Sequence, residues 1–290
     1  MLRLLMMSVF IVGLWFFPPL VHSRTKLPNK GTPSALQVYA LEYGQSWYPA
    51  RFVVNRRWKT RSLRFSWQFF VLRWKRRVLL IDAGMPQARL RRRFGIKQFR
   101  HPQTLLKKLG LSPAQVTDIL LTHHHVDHAG GLTLFPKARV HLHPLTLRVL
   151  QRSRTLPKVR RWLKKATKEK RVHLIRKRWQ WFRWLEFRWI GGHTGGSLVA
   201  LVRLPLKTLL FVGDECYLQR FCRRGWGLPP ASRASRRRNL RFLKELKARS
   251  QKGEWLPFPA HDPQVMKRYP KVAPGVVRLR GRVTGDKGPA

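Results

Sequence analysis

Four potential metal ligands lie within six residues of this sequence. The segment 122–131 reads THHHVDHAGG, and the groups in it that could bind a metal belong to His123, His125, Asp127 and His128. Imidazole and carboxylate together suit zinc and other borderline divalent cations. Because the chain contains only 11 His and 12 acidic residues, chance is a poor explanation for such a cluster. We therefore predict a dinuclear metal site here.

Three later segments add further candidate ligands. His193 lies in the Gly-rich segment 190–197, Asp214 ends an apolar run, and His261 lies in a short loop. Alone, each signal would be weak, since a loop histidine is more often only hydrogen-bonded and an Asp after a strand can cap a turn. Together with the first cluster they give five His and two Asp, enough for two metals with positions left open for water and substrate. His124 is interpreted as a spacer.

The elements that must position these residues follow from hydrophobic periodicity and turn signals. The cluster comes directly after the apolar run 118–121, which predicts a buried strand. The pattern predicts strands at 38–41, 66–74, 78–82, 118–122, 139–143, 179–189, 197–204 and 208–212. It predicts helices at 101–109 and 144–152, a solvent-facing basic helix within 155–178, and an amphipathic surface helix at 235–250. After Pro270 the chain is basic and contains Pro and Gly, which predicts a loosely packed tail.

The composition indicates a folded chain with an unusual charge. A hydrophobic fraction of 43% supports a core and argues against disorder. The chain has 61 Lys and Arg but only 12 acidic residues, which gives a net charge of +49. Such a charge favours non-specific contact with anionic surfaces. The basic residues are spread from Arg51 to Arg282 rather than gathered in one tail, which weakens the case for a dedicated nucleic-acid module. No specific protein partner is inferred.

The sequence also suggests a domain organisation and a compartment. Residues 1–23 have a basic start and an apolar stretch, which predicts a secretory signal and export to the periplasm or the medium; the alternative is a retained membrane anchor. A linker at 24–36, a folded domain at 37–265 and a basic C-terminal tail at 266–290 follow. Cys216 and Cys222 could form a short-loop disulfide or remain free thiols.

The order of these motifs resembles the metallo-β-lactamase superfamily over residues 37–262. The matching features are an HxHxDH motif, then a single His, an Asp at a strand end and a final His. The resemblance implies an α/β fold, a four-layer αββα sandwich with two divalent metals, expected to be zinc, at one edge between the sheets. It assigns His123, His125 and His193 to one metal. It assigns Asp127, His128 and His261 to the other, with Asp214 bridging both and Asp82 supporting the site from behind the ligands.

Details within the motifs are similar to the N-acyl homoserine lactonase branch. Asp214 stands where one group of true β-lactamases has Cys, and segments 81–86 and 214–217 are similar to the lactonases. Tyr217 matches a Tyr of that branch that contacts the substrate carbonyl and the leaving oxygen. Gly195 departs from the branch, which often has Pro there; this changes loop stiffness and no ligand.

The resemblance implies a small-molecule lactone or ester substrate, attacked by a hydroxide formed from water shared by the two metals. Asp127 would carry the proton to the leaving alkoxide. The alternatives are a glyoxalase II-like thioesterase, and a phosphodiesterase or nuclease that only the basic charge supports. A non-catalytic basic protein with a structural metal would not need seven ligands.

Overall fold

The computed structural model describes residues 35–55, 62–229 and 232–280. The predicted signal or anchor, most of the predicted linker and the last ten residues lie outside the described residues. The strands, in chain order, are β1 (Gln37–Pro49), β2 (Ser62–Trp74), β3 (Arg77–Ile81), β4 (Asp118–Leu120), β5 (Arg139–Leu142), β6 (Val172–Leu174), β7 (Arg178–Phe182), β8 (Leu185–Trp189), β9 (Leu198–Arg203), β10 (Thr208–Gly213), β11 (Trp255–Pro259), β12 (Lys271–Ala273) and β13 (Val276–Arg280).

Eight α-helices connect and cover these strands within the described residues. They are α1 (Ala88–Arg93), α2 (Pro102–Lys107), α3 (Val126–Ala129), α4 (Pro144–Gln151), α5 (Pro157–Lys168), α6 (Gln219–Arg224), α7 (Arg233–Gln251) and α8 (Pro263–Arg268). Single 3₁₀ turns occur at Ala50–Phe52, Pro113–Gln115 and Leu132–Leu134. No helix in the part of the chain that the structure describes is both long and apolar enough to span a bilayer.

The strands form two sheets. The larger has the order β12-β13-β1-β2-β3-β4-β5-β6, and the smaller has the order β11-β10-β9-β8-β7. Strands β3 to β6 run parallel to one another, and so do β10 and β11. Parallel neighbours end at the same edge of a sheet, so the loops after β3 and β4 lie together, as do those after β10 and β11.

The sheets are packed face to face, with helices on both outer faces. In β9, Leu198, Ala200 and Val202 face the other sheet, whereas Val199 and Leu201 face α7. This alternation follows from the two-residue period of a strand, and a strand buried on both faces is therefore apolar throughout. The outer face of the larger sheet packs against α1, α2, α4 and α5. The αββα sandwich predicted from the sequence is confirmed.

The predicted single strand at 179–189 is wrong, because the segment is a hairpin. β7 and β8 pair antiparallel on either side of a turn at Arg183 and Trp184. The Trp184 ring packs edge-on against Trp74, 4.9 Å away, in the core between the sheets. Aromatic residues recur through the turn and both strands, so periodicity alone could not locate the break.

The predicted loose tail after Pro270 is also wrong for residues 271–280. β13 pairs antiparallel with β1, and β12 pairs with β13, which extends the larger sheet by two strands. Val276 and Val277 are buried. Gly275, with a φ of +81°, makes the turn between the two strands, so the Pro-Gly pair connects a hairpin instead of ending the fold.

Candidate metal centre

Five of the seven candidate ligands lie in loops that follow strands of the two sheets, and Asp127 and His128 lie on α3. His123 follows β4, Asp214 follows β10 and His261 follows β11. Gly213 directly before Asp214 has a φ of +52°, and a Cβ there would lie 3.0 Å from the side chain of Thr122. Glycine therefore permits the turn that brings the Asp214 carboxylate beneath the histidine cluster.

The first ligand group joins the histidine motif to the Gly-rich loop. It consists of His123, His125, His193 and Asp214, whose ligand atoms all lie within 4.8 Å of one another. His193 Nε2 is 3.0 Å from His125 Nδ1 and 3.6 Å from Asp214 Oδ2. His123 Nε2 is 3.8 Å from the same carboxylate oxygen.

The second ligand group shares Asp214 with the first. It consists of Asp127, His128, Asp214 and His261, again with all ligand atoms within 4.8 Å. Asp214 Oδ1 lies 3.3 Å from His128 Nε2 and 3.2 Å from His261 Nε2, and Asp127 Oδ2 lies 3.0 Å and 3.4 Å from the same two nitrogens. Asp214 thus presents one oxygen to each group, which is the arrangement of a bridging ligand.

The buried polar atoms of the site fit divalent cations. His123 Nε2, His128 Nε2 and Asp214 Oδ1 make no hydrogen bond of suitable geometry with the described residues, although an imidazole or carboxylate atom lies within 3.8 Å of each. Leaving such atoms unsatisfied costs about 1–3 kcal/mol each, and coordination of a metal would satisfy them. Two groups of four ligands that share one carboxylate, with nitrogen and oxygen donors, match the chemistry of zinc.

Two histidines of the first group are held in the neutral form that binds metals. Burial, together with the neighbouring imidazoles, lowers the pKa of His123 well below its usual range. Burial also lowers the pKa of His193, to about 3, despite the nearby Asp214 carboxylate. Both imidazoles therefore have a free lone pair at neutral pH.

Two histidines of the second group behave differently. Burial lowers the pKa of His128, but the carboxylates of Asp127, Asp214 and Asp82 outweigh it and raise this pKa well above the usual value. The pKa of His261 is raised by Asp214 and Asp127, also against burial. This high density of negative charge is what a bound cation would neutralise in place of protons.

Asp82 orients the second group from behind. Its Oδ2 accepts a hydrogen bond from His128 Nδ1 at 2.7 Å, which turns Nε2 toward the ligand atoms. Its Oδ1 accepts from the backbone N–H of Thr122 at 2.8 Å. Asp82 is buried and has a φ of +65°, a strained conformation for a non-glycine residue. Asp82 therefore lies next to His128, on the side away from the ligand atoms, and its role in supporting a metal stays a prediction.

The loop of His193 is held by Glu215, which sequence reasoning missed. Glu215 Oε1 accepts from the backbone N–H groups of Gly192 and His193, both at 2.9 Å. Its Oε2 accepts from Asn239 Nδ2 of α7 at 2.7 Å. A Cβ on Gly192 would lie 2.2 Å from Glu215 Oε2, so glycine is needed for this approach. The only signal in the sequence was a rare acidic residue directly after Asp214.

Trp189 and Arg238 hold the ends of the same loop. Trp189 Nε1 donates to the carbonyl oxygen of Gly195 at 2.8 Å, and Arg238 Nε donates to that of Gly191 at 2.8 Å. Neither residue was a candidate site residue from the sequence. Both hold the loop from elements outside it, β8 and α7, and such contacts leave no motif in the sequence. The His193 loop is therefore fixed on three sides.

Tyr217 lies beside both ligand groups. Its ring is 5.9 Å from the His193 ring and 5.5 Å from the His261 ring, measured between centroids. Burial and the nearby carboxylates of Asp214 and Asp127 raise the pKa of its hydroxyl well above the usual value. The phenol therefore stays protonated and can donate a hydrogen bond. Cys216, the preceding residue, forms a disulfide with Cys222, which answers the question that the sequence left open.

A cleft of about 560 Å³ leads to the ligand groups. The ligands Asp127, Asp214 and His261 and the ring of Tyr217 line its inner part, and His124 lines it without belonging to either ligand group. Its outer wall is mainly aromatic and aliphatic, formed by Tyr48, Phe52, Phe65, Trp67, Phe94, Val149 and Leu150. A pocket of this size and apolar lining suits a small molecule with a hydrophobic part.

All seven predicted ligands are thus brought together, in the two groups expected. Their role in binding metal remains a prediction. The family model of the metallo-beta-lactamase superfamily matches residues 66–177, a segment that contains His123, His125, Asp127 and His128. No curated protein matches the sequence.

Solved structures with the same fold include several hydrolases. A quorum-quenching N-acyl homoserine lactone lactonase superposes with a TM-score of 0.68 at 16% identity, over 84% of this chain and 99% of that one. A probable metal-dependent hydrolase from Staphylococcus aureus superposes with a TM-score of 0.64 at 16% identity, over 82% and 92%. AidC, a dizinc quorum-quenching lactonase, superposes with a TM-score of 0.58 at 17% identity, over 88% of this chain and 98% of that one. At such identities the likeness concerns the fold. With the αββα sandwich, it shows that this chain has the metallo-beta-lactamase fold, and the family model matches the part of the chain from residue 66 to residue 177.

Proposed function

We propose that this protein is a dinuclear metal-dependent hydrolase that opens lactone or ester bonds, with N-acyl homoserine lactones as the leading substrate class. The observation that carries the proposal is the position of Tyr217. Its ring contacts one histidine of each ligand group, and its hydroxyl is kept protonated by burial and nearby carboxylates. A phenol donor at that position suits a carbonyl substrate.

Two divalent metals, when bound, would supply Lewis acidity and a water that ionises near neutral pH. The first would be held by His123, His125 and His193, and the second by Asp127, His128 and His261, with Asp214 shared between them. We propose zinc, because nitrogen and carboxylate donors in four-ligand groups suit it.

Tyr217 and Asp127 would act on the substrate directly. The Tyr217 hydroxyl would donate to the carbonyl oxygen as negative charge develops on it, a contact that strengthens in the transition state. Asp127 lines the cleft with its carboxylate beside His128 and His261, and could pass a proton to the leaving alkoxide as the ring opens. Tyr43, which donates to the Asp127 carbonyl oxygen at 3.0 Å, would keep Asp127 in place.

The outer cleft suits the acyl part of such a substrate. Phe52 and Val149 are about half exposed at its mouth, whereas Phe65 and Trp67 are buried deeper. Burial of an alkyl chain against these side chains contributes about 0.8 kcal/mol per methylene. Two proteins of the same fold support this substrate class, since one holds N-decanoyl-L-homoserine at its active site and another holds N-hexanoyl-L-homoserine at its metal centre.

The test is a substrate panel on the zinc-loaded protein. We expect hydrolysis of N-hexanoyl homoserine lactone, with weak turnover of a thioester and of bis-p-nitrophenyl phosphate. The Asp214→Ala variant should lose both activity and bound metal, which assigns the activity to this site. Thioester turnover above lactone turnover would favour a thioesterase, and phosphodiester turnover would favour a nuclease. Two bound metals with no turnover of any substrate would refute the proposal.

We also propose that the protein is exported. Disulfides persist mainly in oxidising compartments, so the bond between Cys216 and Cys222 supports the prediction from residues 1–23. Fractionation of expressing cells, with mass analysis of the mature N-terminus, tests this. A chain found only in the cytoplasm with both thiols free would contradict it.

A further inference from the structure

A second cavity, of about 620 Å³, lies between α6 and α8 and has an unusual lining. Six of its eleven lining residues are basic, whereas 61 of 290 residues are basic in the whole chain. The basic residues of this cavity are Arg64, Arg220, Arg223, Arg224, Lys267 and Arg268. General basicity of the chain does not account for a cavity in which more than half of the lining is cationic.

Several of these cations have neutral partners. Arg64 Nη2 donates to Gln45 Oε1 at 2.7 Å, and Arg268 Nη1 donates to Gln219 Oε1 at 3.3 Å. Arg224 lies over the ring of Trp226, 5.0 Å from its centroid. Elsewhere the scarce carboxylates do pair with arginine, as Asp118 does with Arg77 at 3.2 Å. Here Asp262 is the one carboxylate in the lining and interacts with Arg268 and Arg220, so six converging positive charges are compensated only in part.

The one acidic residue in the lining is engaged by the backbone. Asp262 is buried, its Oδ2 accepts from the N–H of Gln219 at 2.7 Å, and its Oδ1 accepts from the N–H of Gln264 at 2.8 Å. The carboxylate thus ties the start of α6 to the start of α8. It shapes the cavity and leaves the cationic side chains to face solvent.

We propose that this cavity, here named the α6–α8 cavity, is a binding site for a phosphate-bearing anion. Five of its six cations are arginines, whose planar guanidinium groups match phosphate oxygens in pairs and are more weakly hydrated than an ammonium group. A carboxylate would use this arrangement less fully, because it has two oxygens where phosphate has three or more.

A third cavity, next to the α6–α8 cavity, shows where the phosphate would not bind. It has a volume of about 640 Å³, shares Arg64, Pro263 and Lys267 with the α6–α8 cavity, and is lined largely by apolar residues of 272–277. It also contains the buried carboxylate of Glu42, which Ser66 and Arg100 contact at 2.6 Å and 3.7 Å. A negative charge is disfavoured beside Glu42, so the phosphate belongs at the arginine end.

The α6–α8 cavity is separate from the catalytic cleft, with which it shares no lining residue. It is nevertheless adjacent in sequence to two residues of the cleft. α6 begins two residues after Tyr217, and α8 begins two residues after His261. The proposed anion therefore binds outside the catalytic cleft, where it would not compete with the substrate.

The experiment measures binding of inorganic pyrophosphate by calorimetry at about 0.15 M salt, where diffuse attraction between charges is screened beyond roughly 8 Å. Two triple variants remove the same charge: Arg223→Gln/Arg224→Gln/Lys267→Gln in the cavity, and Arg160→Gln/Arg161→Gln/Lys164→Gln on α5. All six residues are exposed. Each variant loses two arginines and one lysine, so only the location differs.

We expect one saturable site on the natural protein, at least tenfold weaker binding by the cavity variant, and binding within about twofold by the α5 variant. Since pyrophosphate could also bind zinc, the titration is repeated on the Asp214→Ala variant, in which the site should persist. Equal losses in both triple variants, non-saturable binding, or loss of the site in Asp214→Ala would overturn the proposal.

A second arm identifies the source of the phosphate. Vesicles of phosphatidylcholine with phosphatidate are offered to the protein with and without pyrophosphate. Displacement by pyrophosphate, together with loss of vesicle binding in the cavity variant, supports the site and assigns it to a lipid headgroup. Saturable pyrophosphate binding that vesicles do not affect supports the site and assigns it to a soluble phosphate compound.

Discussion

Glu215 offers a sharp test of how the metal centre is held together. Its carboxylate accepts three N–H groups, two from the backbone of Gly192 and His193 and one from Asn239. We predict that Glu215→Gln weakens the binding of the metal held by His193. The substitution keeps the length and shape of the side chain and removes its charge and one acceptor oxygen.

The magnitude follows from the hydrogen bonds that a glutamine cannot make. Its oxygen can still accept from the two backbone N–H groups, but its amide nitrogen then faces Asn239 Nδ2, which lies 2.7 Å from Glu215 Oε2. Asn239 has no alternative orientation, since its Nδ2 also donates to the Glu215 carbonyl oxygen at 2.8 Å and its Oδ1 accepts from Leu228 N at 3.2 Å. Loss of one charge-assisted hydrogen bond costs about 1.5–3 kcal/mol.

This loss of free energy should appear as zinc affinity that is about 10- to 100-fold weaker. The same range is found when residues that hydrogen-bond to metal ligands are altered. Zinc affinity is measured by competition with a chromophoric chelator. Glu245→Gln is the matched control, because Glu245 lies on α7, is partly exposed, and pairs with Arg188 at 3.4 Å away from the ligands. Zinc affinity of Glu215→Gln within twofold of the natural protein, or an equal loss in Glu245→Gln, would refute the reasoning.

Three further predictions concern Asp82, Tyr217 and Asp118. Asp82→Asn should weaken zinc binding by about 10- to 100-fold in the same competition assay, because it disturbs the hydrogen bond that orients His128; unchanged affinity would contradict this. Tyr217→Phe should lower lactone kcat by about 10²-fold while two zinc ions are retained in metal analysis, and an unchanged rate would remove the main reason for choosing lactones. For Asp118, burial raises the pKa, but hydrogen bonds led by that of His141 outweigh it, so the pKa lies below 3.8. The ionised Asp118 carboxylate therefore stabilises the folded state above about pH 3.8, and this stabilisation is lost as the pH falls through the lowered pKa. Asp118→Asn should cost about 1–3 kcal/mol in urea unfolding at pH 7 and clearly less at pH 3, and equal costs at both would be the contrary result.

Much of the site could be predicted because its ligands are local in sequence or follow strands. The cluster at 123–128 lies directly after β4, and Asp214 and His261 follow β10 and β11. A strand buried on both faces is apolar throughout, so its end is visible in the sequence. The fold and the grouping of the ligands came from the resemblance that these motifs carry.

What the sequence did not reveal depends on contacts between distant segments. Glu215 has meaning only beside Gly192 and Asn239, which are 23 and 24 residues away. Similarly, the residues of β13 read as a tail because their strand partner, β1, lies at the opposite end of the described chain. The α6–α8 cavity was hidden because its basic residues come from three separate segments of a uniformly basic chain.

We propose that two metals, held by groups that share Asp214, make this protein a lactone hydrolase. The most direct test is a zinc titration of the metal-free protein while the hydrolysis of N-hexanoyl homoserine lactone is followed. We predict that activity rises and saturates at two zinc ions per chain, and that Asp214→Ala remains inactive throughout. Tight binding of two zinc ions without lactone hydrolysis, or full activity without metal, would contradict it.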